Sequence, residues 1–243
     1  MHIVRPYALL RQINDLEGAL SIIEYIGRVS HRSEDAQTSN TTEKFINSVV
    51  MRHGDWSIVE HVPATVEFLA DRGITHEIVR HRLFSYTQES TRFVNYAKKM
   101  PPSFIYPKPE IECPECLGGD QPRKSTILDD NFVHSNLKIC SYDRCWLDAI
   151  MCAESAYVGL LAEGWRPQEA RSVFPNALAS KLIMTGNLRA WRHFFAMRTS
   201  KESHPQMRQV TIPLLEQFKR VVPILYDDIQ PEATQFENMS KPQ

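Results

Sequence analysis

Several common ways of holding a nucleotide or a nucleic acid are missing from this sequence. It contains no Gly-rich phosphate loop and no G-x-G-x-x-G turn, so neither widespread backbone cradle for phosphate is available. It has no basic surplus either: Lys plus Arg number 28 against 29 for Asp plus Glu, a net charge of -1. A protein that grips nucleic acid through its phosphates needs such a surplus, which argues against a nucleic-acid partner. A few arginines gathered in one pocket still suffice for a small phosphorylated ligand.

Long apolar runs are lacking too. Arg5, Arg11 and Asp15 interrupt the N-terminal residues, against a signal peptide, and no window is expected to approach the roughly 18 apolar residues of a membrane span. Five cysteines, an odd number, suggest reduced thiols in a cytoplasmic protein with no membrane partner. What is present, 42% hydrophobic and 23% charged residues over 243 positions, suits a soluble globular chain.

Apolar spacing predicts a helix over 16–29, through Leu16, Leu20, Ile23 and Ile26. Thr41 reads as the N-cap of a second, with Phe45, Ile46 and Val49 on one face. Alternation over 62–70 predicts a strand with Val66 and Phe68 on one side. A short helix from Thr75 to about Val79 then runs into Arg80-His81-Arg82. Between Met100 and about Asp143, six prolines from Pro101 to Pro122 rule out long regular elements. Residues 109–138 read as a loop insertion. Helices follow at about 143–163 and from Arg166, with Pro167 suited to a first turn. Residues 177–184 suit a strand, with helix not excluded, and Thr185-Gly186-Asn187 marks a boundary. Asn187 reads as the N-cap of the run LRAWRHFFAMR. A long amphipathic helix covers about 205–221, and the tail 231–243 is polar. The class is therefore α/β (α+β mixed), a single domain over 1–230 with a central sheet flanked by helices.

Two clusters carry chemistry. Glu77 to Tyr96 gathers Arg80, His81, Arg82 and Arg92 with Ser85, Thr87, Gln88, Ser90 and Asn95. Guanidinium groups bind phosphate through paired, charge-assisted hydrogen bonds, and hydroxyls and amides add neutral donors. A solvated basic loop is the plainer reading of the same residues. The second cluster is Arg171, Asn187, Arg189, His193 and Arg198; Arg189 and His193, one helical turn apart, share a face. For Asn187 a simple cap is the better-supported local reading. Cys113-Pro114-Glu115-Cys116 with Cys140 and Cys145 offers four thiols, but the spacing matches a zinc site only loosely, and free thiols, with no metal, are the favoured reading.

Arg80-His81-Arg82, seven residues, then Ser90 and Arg92 resembles the R-H-R-x7-S signature of flavin-dependent thymidylate synthases. Arg52-His53-Gly54, Ser57-x-x-Glu60-His61, Arg171 to Pro175, Asn187-x-Arg189 and Arg198 follow in the family's order. The resemblance spans about 45–100 and 165–210.

That resemblance implies reductive methylation of dUMP to dTMP, with FAD held across subunit boundaries of a homotetramer. NADPH and methylenetetrahydrofolate are the implied co-substrates. FAD would be met by Ser57, Arg80, His81, Arg82, Asn187, Leu188, Arg189 and His193. The nucleotide would be met by Glu77, Ile78, Val79, Arg80, Gln88, Glu89, Ser90, Thr91, Arg92, Arg171 and Arg198. Arg198 matches the arginine that favours ionisation of the uracil ring, the electrostatic role of a fixed cation. Ser90 is read as a hydrogen-bonding residue and not a nucleophile, because no base is fixed beside it by sequence. Asp55 stands where many relatives have histidine, Thr87 and Gln88 where some carry Asn and Glu, and His193 where some carry an amide. The rival readings are a flavin-free nucleotide enzyme using the same arginines as phosphate anchors, and a binding module without catalysis.

Overall fold

The computed structural model describes residues 1–13, 16–98, 100–107 and 144–232. The 109–138 insertion, with Cys113 and Cys116, lies outside the described residues, as do Cys140 and the tail beyond 232. The elements in chain order are β1 (His2–Val4), β2 (Tyr7–Ile13), α1 (Leu16–Val29), α2 (Thr42–Ile46), β3 (Pro63–Asp71), α3 (Arg72–Ile78) and β4 (Ser85–Gln88). They continue with β5 (Ser103–Ile105), α4 (Arg144–Ala162), α5 (Pro167–Ala170), β6 (Ala179–Asn187), α6 (Leu188–Arg198), α7 (Pro205–Val221) and α8 (Pro223–Tyr226). Helices and strands are mixed along the chain, as the sequence predicts. Two compact units result, one of Met1–Pro6, Leu69–His76 and Gln88–Lys181, the other of Tyr7–Phe68, Glu77–Thr87 and Leu182–Gln243.

In the first unit β1 and β5 pair in parallel, Ile3 opposite Phe104. The helix α4 buries Tyr157 with Tyr96 and Ala170, and Ile150 with Phe104 and Leu178. Phe174 stacks on Tyr157 at 4.5 Å between ring centroids. One expectation is corrected here: α4 has the length and hydropathy, 1.3 over its best window, to cross a membrane. Its Ala, Cys, Met, Ile and Val outweigh Arg144, Asp148 and Glu154 in the average. Glu154 nonetheless pairs with the N-terminal ammonium of Met1 at 2.7 Å.

In the second unit the sheet order is β2-β3-β6-β4. Val66 and Phe68 are fully buried on β3, two residues apart and therefore on one face. Phe68 meets Trp191, which in turn packs with Phe194, Phe195 and Phe218. Burying each such ring contributes about 1.5–3 kcal/mol. The helix α7 also covers the edge strand: Gln217 accepts from the Leu10 amide and donates to the Ala8 carbonyl, both at 2.9 Å, blunting an edge that would otherwise pair with another chain.

Several boundaries differ from the sequence reading. The helix α3 starts at Arg72 because the Asp71 carboxylate accepts from the Ile74 amide at 2.8 Å, the bond of an N-cap. Thr41 makes no side-chain cap; its hydroxyl donates to the Thr38 carbonyl, and α2 runs on into a π-turn over Asn47–Arg52. The strand β6 continues through Gly186 to Asn187, where the sequence places a boundary.

Candidate active site

In the second unit, the last turn of α3, the loop to β4 and the C-terminus of α6 converge on Arg198. Its Nε donates to His81 Nε2 at 2.9 Å, Nη1 to Glu77 Oε2 at 3.0 Å, and Nη2 to the Glu77 carbonyl at 3.4 Å. A guanidinium only donates, so His81 Nε2 is the acceptor and the imidazole carries its proton on Nδ1. Burial first, then the positive charges of Arg198 and His193, push the His81 pKa down from 6.5 to about 4. The ring is thus neutral at physiological pH. It packs edge-on against Phe194, with centroids 4.9 Å apart.

Two features hold the loop that carries these groups. The Tyr86 hydroxyl lies 2.7 Å from the His81 carbonyl and 2.9 Å from that of Ile78, sharing its single proton between them. Burial raises that phenol to about 12. Phe84 sits directly over Gly186, where an added Cβ would fall 2.2 Å from its ring. Arg80 and Arg82 flank this pinned turn, both exposed. Among the described residues neither pairs with a carboxylate.

Asn187 caps α6, its side chain accepting from the Ala190 amide at 2.8 Å, as the sequence predicts. Leu188 is buried; its amide donates to the Val62 carbonyl at 2.9 Å and its carbonyl accepts from Tyr226 at 2.8 Å. Arg189 is exposed and bonded to Glu60 at 2.5 Å, and His193 and Ser57 are also exposed. Ile78 is fully buried while Val79 faces outward.

The remaining candidates belong to the first unit. Gln88 Nε2 donates to Thr75 Oγ1 at 2.9 Å and to Ser180 Oγ at 3.1 Å. Glu89 accepts from the Tyr96 hydroxyl at 3.1 Å, and its amide donates to the Lys181 carbonyl at 2.9 Å. Burial, reinforced by the Glu89 charge, raises the Tyr96 phenol well above its ordinary range. Ser90 Oγ accepts from the Arg92 amide at 3.3 Å. Buried Thr91 accepts from Arg171 at 2.8 Å, and Arg92 is exposed over the Phe93 ring at 5.6 Å.

Sequence reasoning passed over Tyr86, Phe84, Thr75, Ser180 and Tyr96. Gly186 it read only as part of a boundary, whereas the glycine lies inside β6. Among the described residues no three His, Cys, Asp or Glu side chains gather as a metal site; Cys145 and Cys152 are free and exposed.

Comparison with known proteins agrees with the motif. Residues 11–224 match the family model for thymidylate synthase complementing protein. The chain is 32% identical over 237 residues to a flavin-dependent thymidylate synthase of Corynebacterium efficiens, covering 94% of this chain and 86% of that one. It is 31% identical over 225 residues to one of Mycolicibacterium gilvum, covering 89% and 82%. In fold it is similar to a UMP/dUMP methylase, PolB, of Streptomyces cacaoi bound with 5-Br dUMP, with a TM-score of 0.68 at 24% identity, covering 93% of this chain and 96% of that one.

Proposed function

The chain belongs to the family of flavin-dependent thymidylate synthases, the thymidylate synthase complementing proteins, and from that premise we propose that it converts dUMP to dTMP by reductive methylation. Bound FAD, recharged by NADPH, supplies the reducing equivalents, and methylenetetrahydrofolate the carbon. The proposed enzyme is a soluble, cytoplasmic homotetramer with FAD at its subunit interfaces, and its catalytic domain is a single one over 1–230.

The observation that carries this reading is the Arg198–His81–Glu77 cluster. Three of the five guanidinium N–H groups of Arg198 are engaged by His81 and Glu77, which leaves two donors on a rigidly held cation. Such a cation, directed at the uracil ring, stabilises the negative charge that builds on the pyrimidine when N3 ionises. A preorganised charge of this kind contributes more than a mobile one because it needs no reorganisation during the reaction. Neutral His81 fits the same task, since a protonated ring would repel Arg198 and lose the acceptor that orients it. Arg80 and Arg82, which pair with no carboxylate among the described residues, take the FAD phosphates, with Ser57, His81, Asn187, Leu188, Arg189 and His193 around the cofactor. Glu77, Ile78, Val79, Arg80, Gln88 to Arg92 and Arg171 serve dUMP, with Ser90 and Arg92 at its phosphate.

Tritium release from dUMP labelled at C5, with FAD, NADPH and methylenetetrahydrofolate present, tests this assignment. Arg198→Ala is expected to lower release by about 100-fold or more, the scale of losing one preorganised charged donor, while the melting temperature shifts little. Undiminished release in Arg198→Ala would remove its role.

A further inference from the structure

Gln88 ends β4 beside β6, and its amide is bonded on one side only. Nε2 donates to Thr75 Oγ1 at 2.9 Å and to Ser180 Oγ at 3.1 Å. Both hydroxyls are shut off from water: Thr75 is 0% exposed and Ser180 1%. The direction of these bonds is set by a third. The Thr75 hydroxyl spends its only proton on the Arg72 carbonyl at 3.2 Å, so its oxygen has only lone pairs to offer Gln88. The group facing Thr75 must therefore be the NH2 of the amide. Turning the amide over would set its carbonyl oxygen against an oxygen with no proton to give, in a place no water reaches, at the cost of an unsatisfied buried acceptor. Gln88 itself is only half-buried, and among the described residues its Oε1 has no donor.

We propose that Thr75 and Ser180 are positioning residues that lock the Gln88 amide with its oxygen outward, making position 88 an acceptor that selects a hydrogen-donating group on the substrate. The inference rests on the reading of Gln88 as a dUMP contact. An unrestrained glutamine offers either donor or acceptor and discriminates poorly. One whose NH2 is consumed by two buried hydroxyls rejects any ligand that presents an acceptor, or nothing, at that point. The neutral deoxyuridine nucleotide, before N3 ionises, carries two donors of the right kind, the ring N3–H and the sugar 3′-hydroxyl. Cytosine has a bare N3 acceptor in place of the first, and a 2′,3′-dideoxy sugar lacks the second.

Isothermal titration of the FAD-loaded protein with dUMP, dCMP and 2′,3′-dideoxy-UMP tests the proposal. The wild type is expected to bind one analogue about tenfold more weakly than dUMP, the size of one lost hydrogen bond with its partner left unpaired. The base analogue is the weaker if the donor is N3–H, the sugar analogue if it is the hydroxyl. In Thr75→Val/Ser180→Ala the penalty shrinks to less than about threefold and KM for dUMP rises with kcat little changed. Thr75→Ser, which restores the hydroxyl, keeps the wild-type ratio, and Ser180→Ala alone moves the ratio part of the way in a less perturbed core. Equal binding of all three nucleotides by the wild type, or an unchanged penalty in the double variant, would overturn it. FAD binding and tritium release by the wild type are unaffected by that outcome; their absence would count against the proposed function instead.

Discussion

His81 shows how one neutral ring serves a cationic site. In the unfolded chain a histidine takes up a proton near its ordinary pKa of 6.5, whereas in the folded protein burial and the charges of Arg198 and His193 delay this to about 4. The unfolded state therefore binds the extra proton between those two values. The contribution to stability is complete above pH 6.5 and is lost as pH falls through that window to about 4. The hydrogen bond from Arg198 goes with it, because a protonated Nε2 cannot accept. Titration of His81 followed by NMR is expected to show a midpoint close to 4, moving upward in Arg198→Ala as one repelling charge is removed. A midpoint near 6.5 in the wild type would mean that the ring is neither buried nor set against Arg198 as described.

At the scale of elements, local signals were legible and pairing-dependent ones were not. Asn187 announced the start of α6 because a cap is a contact within one turn, and the bond to the Ala190 amide is there. Asn187→Ala is expected to cost about 1 kcal/mol, with Asn187→Asp retaining most of it; chemical denaturation measures both, and FAD affinity of the Asp variant separates capping from cofactor contact. The strand β4 escaped notice because Ser85–Gln88 has neither length nor clean alternation, and only its neighbour β6 makes it a strand. Asp71, which starts α3, was hidden by its place at the end of a strand. Of the site, the R-H-R cluster and Arg198 were legible as residues, but not their mutual bonding, which joins positions 117 and 121 apart in sequence. Gly186 permits the seat of Phe84, so Gly186→Ala should push the ring away and loosen the turn bearing Arg80–Arg82. The expected loss is about 1–3 kcal/mol in urea unfolding with a weaker Kd for FAD; unchanged affinity would mean that the seat does not order the turn.

Across the whole molecule, the apolar surface accords with the proposed assembly. The helix α1 leaves Ile22, Tyr25 and Val29 exposed at 46%, 53% and 48%, spaced so that they form one stripe, an apolar surface that a second copy would cover in the proposed assembly. Light scattering is expected to return four times the 28.1 kDa chain mass, falling in Ile22→Asp/Val29→Asp. The central claim is that this chain makes dTMP by flavin chemistry through Arg198, and its most direct test is product formation with purified protein, dUMP, methylenetetrahydrofolate and NADPH. The account predicts dTMP when FAD is supplied, none when FAD is stripped away, and about 100-fold less from Arg198→Ala. Equal dTMP formation with and without FAD, or no flavin absorbance on a folded protein saturated with FAD, would contradict it.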